Sequence, residues 1–148
     1  MADYETLVST YPRYNYAASA NMRKELVDQM NEIIDDLYEN HYDELYHENA
    51  FRRVKGKQFT LPTEMLPKEM SDFILSMGRG YLGSSGLHLM EVDPAKINLE
   101  IQQIWVTDSE ETDYNPCHSH FGLMSGVMYL KIPEQVSQLN EEGAFNFH

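Results

Sequence analysis

Three features of this 148-residue chain predict an α+β fold. Two stretches in its first half repeat apolar residues at steps of three and four. After Gly86 the pattern becomes alternating or continuous apolar runs, rich in β-branched and aromatic residues. The helical signals precede the strand signals, which points to segregated helices and strands rather than alternating βαβ units. The length fits a single domain over 1–148, with a helical part at 1–82 and a β part at 83–148.

Residues 1–18 are rich in Tyr, contain Pro12 and show no clear period, so they read as an extended lead-in. From Ala20 to about Tyr46 the pattern is helical, with an amphipathic helix expected to about Asn40 and "ENHYDELYHEN" either continuing it or breaking after a turn. Leu26, Met30, Ile33, Ile34 and Leu37 share one face, while Lys24, Glu25, Asp28, Asp35 and Asp36 fill the other positions. Ser19 or Asn21 is suited to the N-cap, where a short polar side chain can accept from the first free N–H groups. "KGKQFTLPTEMLPKEM" holds Gly56, Pro62 and Pro67 and reads as a loop with room for a short strand. Pro67 suits the first turn of a second helix because its missing N–H is not needed there. Met70, Phe73, Ile74 and Met77 form that helix's apolar stripe, and Gly78 is placed to end it, leaving "GRGYLGSSG" as a connector. "LHLMEV" and "INLEIQQIWV" then read as strands, "SEETDYNPC" as a polar loop, "LMSGVMYLKI" as a buried strand interrupted by Gly126, and "AFNFH" as the start of a further strand.

Composition narrows the function classes. Hydrophobic residues make up 42% of the chain, too many for a disordered segment. Eleven Lys and Arg stand against 24 Asp and Glu, a formal net charge of −13 that disfavours nucleic acid as a partner. The one tight basic cluster, Arg52, Arg53, Lys55 and Lys57, reads as a solvated turn. Cys117 is the single cysteine, so no intrachain disulfide can form. No signal-peptide core or membrane-length apolar run is present, and a soluble cytoplasmic protein is the expectation.

The chemistry concentrates in "NPCHSHFGLMSGVMYL", residues 115–130. In a strand, residues two apart point to the same face about 7 Å from one another. His118 and His120 can therefore aim two imidazoles at one metal ion, and imidazole is the commonest metal ligand. Two histidines and a carboxylate with open positions make the facial triad of non-haem Fe(II) oxygenases. Asp113 is the carboxylate candidate in the preceding loop. The bland alternative is a polar pair at a strand edge. Cys117 reads as a small packing residue, and His41, His47, His88 and His148 read as structural.

This stretch resembles the 2-oxoglutarate/Fe(II)-dependent oxygenase family related to prolyl 4-hydroxylases. The resemblance rests on Asn115, His118 and His120, then Ser125, Gly126, Val127, Tyr129, Leu130 and Pro133, then Gly143 and Phe147. "IQQIWV", with Trp105, is similar to the strand that precedes this run, so the likeness covers Ile101 to Phe147. It implies a double-stranded β-helix, or jelly roll, with the N-terminal helices packed on its outer face and incomplete at the C-terminus. It implies His118 and His120 as metal ligands, with His120 standing where the wider superfamily has Asp. It implies Fe(II) and 2-oxoglutarate as cofactor and cosubstrate, with the Tyr129 hydroxyl near the latter; a plain core role for Tyr129 is the alternative. Ser125 and Gly126 would let strands approach closely.

The reaction so implied is hydroxylation of an unactivated C–H bond with release of succinate and CO2. The family's third histidine and its 2-oxoglutarate-binding Arg fall further along the fold. On that basis the chain is expected to be a fragment of a longer oxygenase domain, inactive alone, with an exposed sheet edge open to homo-oligomer pairing. Two other readings stand beside it: a non-catalytic jelly-roll-like assembly or binding module with a vestigial metal site, and a cupin-type protein using another first-row metal. The hydroxylation substrate is left open.

Overall fold

The computed structural model describes residues 6–10, 16–45, 57–84, 93–110, 113, 120, 122–134 and 136. In chain order these residues form strands β1 (Thr6–Thr10) and β2 (Tyr16–Ala20) and helices α1 (Lys24–Asn40) and α2 (Tyr42–Leu45). Strand β3 (Gln58–Leu61), helix α3 (Lys68–Ser84) and strand β4 (Ile104–Thr107) follow. Short 3-10 turns at Thr63–Met65 and Pro94–Lys96 connect them. The fold is α+β, with two two-stranded antiparallel sheets among the described residues.

The lead-in is extended, as its sequence suggested, but it is also paired. β1 and β2 form a hairpin in the register Thr6↔Ala20 to Thr10↔Tyr16. Thr6, Val8 and Thr10 supply the β-branched residues that favour this conformation. The hairpin moves the start of α1. Ser19 belongs to β2 and Asn21 precedes the helix, so neither caps it; Arg23 holds the N-cap position without a side-chain cap bond. Its carbonyl accepts from Leu26 and Val27 instead, and its guanidinium pairs with Glu69 in the first turn of α3.

One apolar core joins α1, β3 and α3. Leu26, Met30, Ile34 and Leu37 enter from α1, Phe59 and Leu61 from β3, Leu66 from the connection, and Met70 and Phe73 from α3. The face read from the sequence is the face that is buried, with Ile33, Ile74 and Met77 packed half-buried at its margin. Burying each such side chain stabilises by about 1.5–3 kcal/mol. Among the described residues no polar or charged side chain is buried. Tyr38 anchors α1 to β3: its ring meets Phe59 edge-on at 4.9 Å and stacks on Tyr42 at 5.7 Å. Its hydroxyl donates to the Lys57 carbonyl at 3.4 Å. Burial, then the nearby Asp108 carboxylate, pushes the Tyr38 phenol up to about 12.

Helix α3 does not end at Gly78. It continues to Ser84, so the first part of the presumed connector is helical. Its opening is one residue later than the sequence suggested: Pro67 precedes the helix, and its carbonyl accepts from Ser71 at 3.0 Å. Gly78 is a crossing point rather than a cap. A Cβ there would lie 3.1 Å from Met124 Cε and 3.4 Å from Leu99 Cδ1.

The segment 122–133 is the largest departure from expectation. It is not a buried strand; none of it is in regular secondary structure, and Leu123, Val127, Tyr129 and Ile132 are exposed. Met128 and Leu130 pack against the core on its inner side. Asn31 donates to the Leu130 carbonyl at 3.4 Å, and Lys131 pairs with Asp35 at 2.5 Å. The segment thus lies as a strap over α1 and α3. Of "INLEIQQIWV" only Ile104 to Val106 are in a strand, extended by Thr107; residues 97–103 are not in one. The expected strands "LHLMEV" and "AFNFH" lie outside the described residues. No described helix is long and apolar enough to cross a membrane.

Candidate functional site

β3 and β4 pair antiparallel in the register Gln58↔Thr107, Phe59↔Val106, Thr60↔Trp105 and Leu61↔Ile104. Successive side chains in a strand point to opposite faces. Phe59, Leu61, Ile104 and Val106 therefore face the helices and pack in or against the core. Gln58, Thr60, Trp105 and Thr107 are left on the other face. Trp105 remains 38% exposed, a large area for the chain's single indole. Gln58, Phe59, Thr60, Gln103 and Trp105 line an open concavity of about 270 Å³. None of the described residues that line it is charged.

His120 belongs to this face. Its imidazole stacks on the Trp105 indole with ring centroids 5.2 Å apart and an interplanar angle of 26°. The residue itself is exposed. Two residues on, Gly122 takes φ +108°, a backbone that side chains other than glycine rarely adopt. A Cβ at Gly122 would come 3.6 Å from Gln102 Oε1, so the chain here runs close beside the residues leading into β4.

The other expected residues fall partly outside and partly inside the described residues. His118, Asn115 and Cys117 lie outside the described residues. Tyr129 is 51% exposed on the strap, which removes the core-aromatic reading of that residue. Asp113 turns back on its own loop, where its carboxylate accepts from the Glu110 N–H at 2.9 Å. Among the described residues nothing lies within 4 Å of the position of a Cβ at Gly126.

Among the described residues no group of three or more His, Cys, Asp or Glu side chains is placed to hold a metal ion. Of the expected donors, His120 and Asp113 are located, and they are not gathered into a metal-binding group; imidazole is a donor that suits a first-row metal. Trp105 was legible only as part of the preceding strand; its stack with His120 was missed. The signal available was alternation. With Ile104 and Val106 committed to the core, Trp105 had to lie on the opposite face.

No protein-family model matches the chain, and no curated protein or solved structure matches it.

Proposed function

We propose that the protein belongs to a 2-oxoglutarate- and Fe(II)-dependent dioxygenase that hydroxylates an unactivated C–H bond and releases succinate and CO2. The observation that carries this reading is the run from Asn115 through His118 and His120 to Tyr129, Leu130 and Pro133. The position of His120 supports it: the imidazole lies on the sheet face turned away from the helices. That is the arrangement a jelly roll with helices on its outside would need, with β3 and β4 as two of its strands. His118 and His120 would hold the metal, and the Tyr129 hydroxyl would contact the cosubstrate. The bound iron supplies the oxygen chemistry; the chain orients its ligands.

Metal retention is the direct test. Chelator-treated protein is titrated with Co(II), an air-stable stand-in for Fe(II), and the heat of binding is recorded. One weak site is expected, lost in His118→Ala and in His120→Ala. Cu(II) and Ni(II) should bind more tightly than Co(II), and Co(II) more tightly than Fe(II), following the Irving–Williams order. Binding unchanged in both variants would refute the assignment. With the third histidine and the Arg that the resemblance implies also present, aerobic Fe(II) and 2-oxoglutarate should give succinate, and His118→Ala should abolish it.

A further inference from the structure

We infer that Met124 and Met128 are an oxidisable fastening: conversion of either thioether to a sulfoxide by a hydroperoxide loosens the strap from the helices. The inference is independent of the metal assignment. The strap, residues 122–133, has no ladder or helix of its own to hold it. Its polar ties are weak. The Asn31 bond to the Leu130 carbonyl is long at 3.4 Å, and the side chains of the Lys131–Asp35 pair are 61% and 52% exposed. An ion pair so exposed contributes little. Apolar contact therefore does most of the holding, and two of the three inward residues are methionines. Met124 sits in the notch that glycine leaves on α3: its Cε and Sδ lie 3.1 and 3.9 Å from where a Cβ at Gly78 would be. Met128 and Leu130 pack against the core. Both methionines are half-buried, so a small peroxide can reach them, whereas Met30 and Met70, at 3% and 0% exposure, are sealed in the core.

In the reaction a sulfur lone pair bonds to one peroxide oxygen as the O–O bond breaks. The sulfur is oxidised by two electrons, the proton on the transferred oxygen passes to the departing hydroxide, and water leaves. A polar sulfoxide then stands where an apolar side chain was. At the Gly78 notch the N–H groups of α3 are spent on the helix's own ladder. The new oxygen is better solvated outside, because burying a polar group without a partner is unfavourable. Releasing the strap asks for no unfolding of α1 or α3.

The test treats the full chain with dilute hydrogen peroxide and then with trypsin, whose cut after Lys131 needs a released strap. Peptide mass mapping locates both the added oxygens and the cut. Met65, 43% exposed on a connecting turn, is the internal control for oxidation away from the strap. Met65, Met124 and Met128 should be oxidised before Met30 and Met70. Cleavage after Lys131 should then rise about 3- to 12-fold, which is what losing half of one buried side chain's stabilisation gives in an opening equilibrium. Methionine sulfoxide reductases should return the original rate. The double variant Met124→Leu/Met128→Leu conserves volume and offers the strap no sulfur to oxidise. It should be cut slowly before and after peroxide, even with Met65 oxidised. Far-UV circular dichroism should stay unchanged on oxidation; loss of the helical spectrum would overturn the inference, because the core and not the strap would have opened. An unchanged cut rate in protein oxidised at both positions would overturn it as well. So would equal acceleration in the double variant, or oxidation of Met30 and Met70 ahead of Met124 and Met128.

Discussion

Alanine at Gly80 should stabilise the protein, and alanine at Gly78 should stabilise it less. Both positions lie inside α3, where glycine costs about 0.8–1.0 kcal/mol relative to alanine through its backbone entropy. At Gly80 no described residue lies within 4 Å of the new Cβ, so the gain of about 1 kcal/mol should appear in full. At Gly78 the same gain is opposed by Met124 Cε at 3.1 Å and Leu99 Cδ1 at 3.4 Å. The Met124 tip is the end of a flexible side chain and can shift by a few tenths of an ångström. The net effect of Gly78→Ala should therefore fall between zero and about 0.5 kcal/mol of stabilisation. Gly78→Leu, which adds three further carbons at the crossing, should cost about 1–3 kcal/mol. Urea unfolding followed by far-UV circular dichroism measures all three. A loss of more than about 0.5 kcal/mol in Gly80→Ala would refute the reasoning. It would mean that the helix ends near Gly78 and that the glycines beyond it hold backbone conformations closed to alanine.

Two further predictions concern the core and its rim. Leu37→Ala removes a side chain only 1% exposed; the lost transfer energy and the residual cavity together should cost about 2–5 kcal/mol, whereas Leu123→Ala, at a position 68% exposed, should change stability by less than about 0.5 kcal/mol. Comparable urea midpoints for the two would show that α1 buries a different face. Tyr38 keeps its proton to about pH 12 in the folded chain, above the ordinary phenol value of 10.0. Because the folded pKa is raised, its contribution to stability is complete below pH 10 and is lost as pH rises toward 12. With partial exposure discounted, that loss is on the order of 1–2 kcal/mol. It should be read as the change in the stability difference between wild type and Tyr38→Phe over that window; a constant difference would refute it.

The parts of the fold that could be read in advance are those where a single period decides burial. Leu26, Met30, Ile34 and Leu37 recur at helical spacing amid charged residues, and all four are buried. Signals that depend on a partner were read less well. Gly78 has the chemistry of a helix terminator, but the helix needs a small residue there because Met124 crosses over it. Ser19 is a good cap by type, yet the hairpin had already claimed it for β2. Val127, Tyr129 and Ile132 look like strand residues destined for burial, but burial needs a second layer. The helices cover only the side carrying Met128 and Leu130. At the candidate site, the outward face of Trp105 was open to reading from the alternation of Ile104 and Val106. Its stack with His120 was not, because the two lie 15 positions apart and no local pattern encodes the contact.

The strap also bears on the order in which the molecule assembles. Its ties to α1 span sequence separations of 99 residues, for Asn31 to Leu130, and 96 residues, for Lys131 to Asp35. Closing a loop of that length costs about 3 kcal/mol more entropy than closing a helical turn of four residues. The helices can form and meet through local contacts; the strap can dock only on a surface they have already built. Contacts of this separation are the slow ones in folding. The ties of Leu130 and Lys131 to α1 therefore form late. A destabilised core should then free the strap before it melts α1.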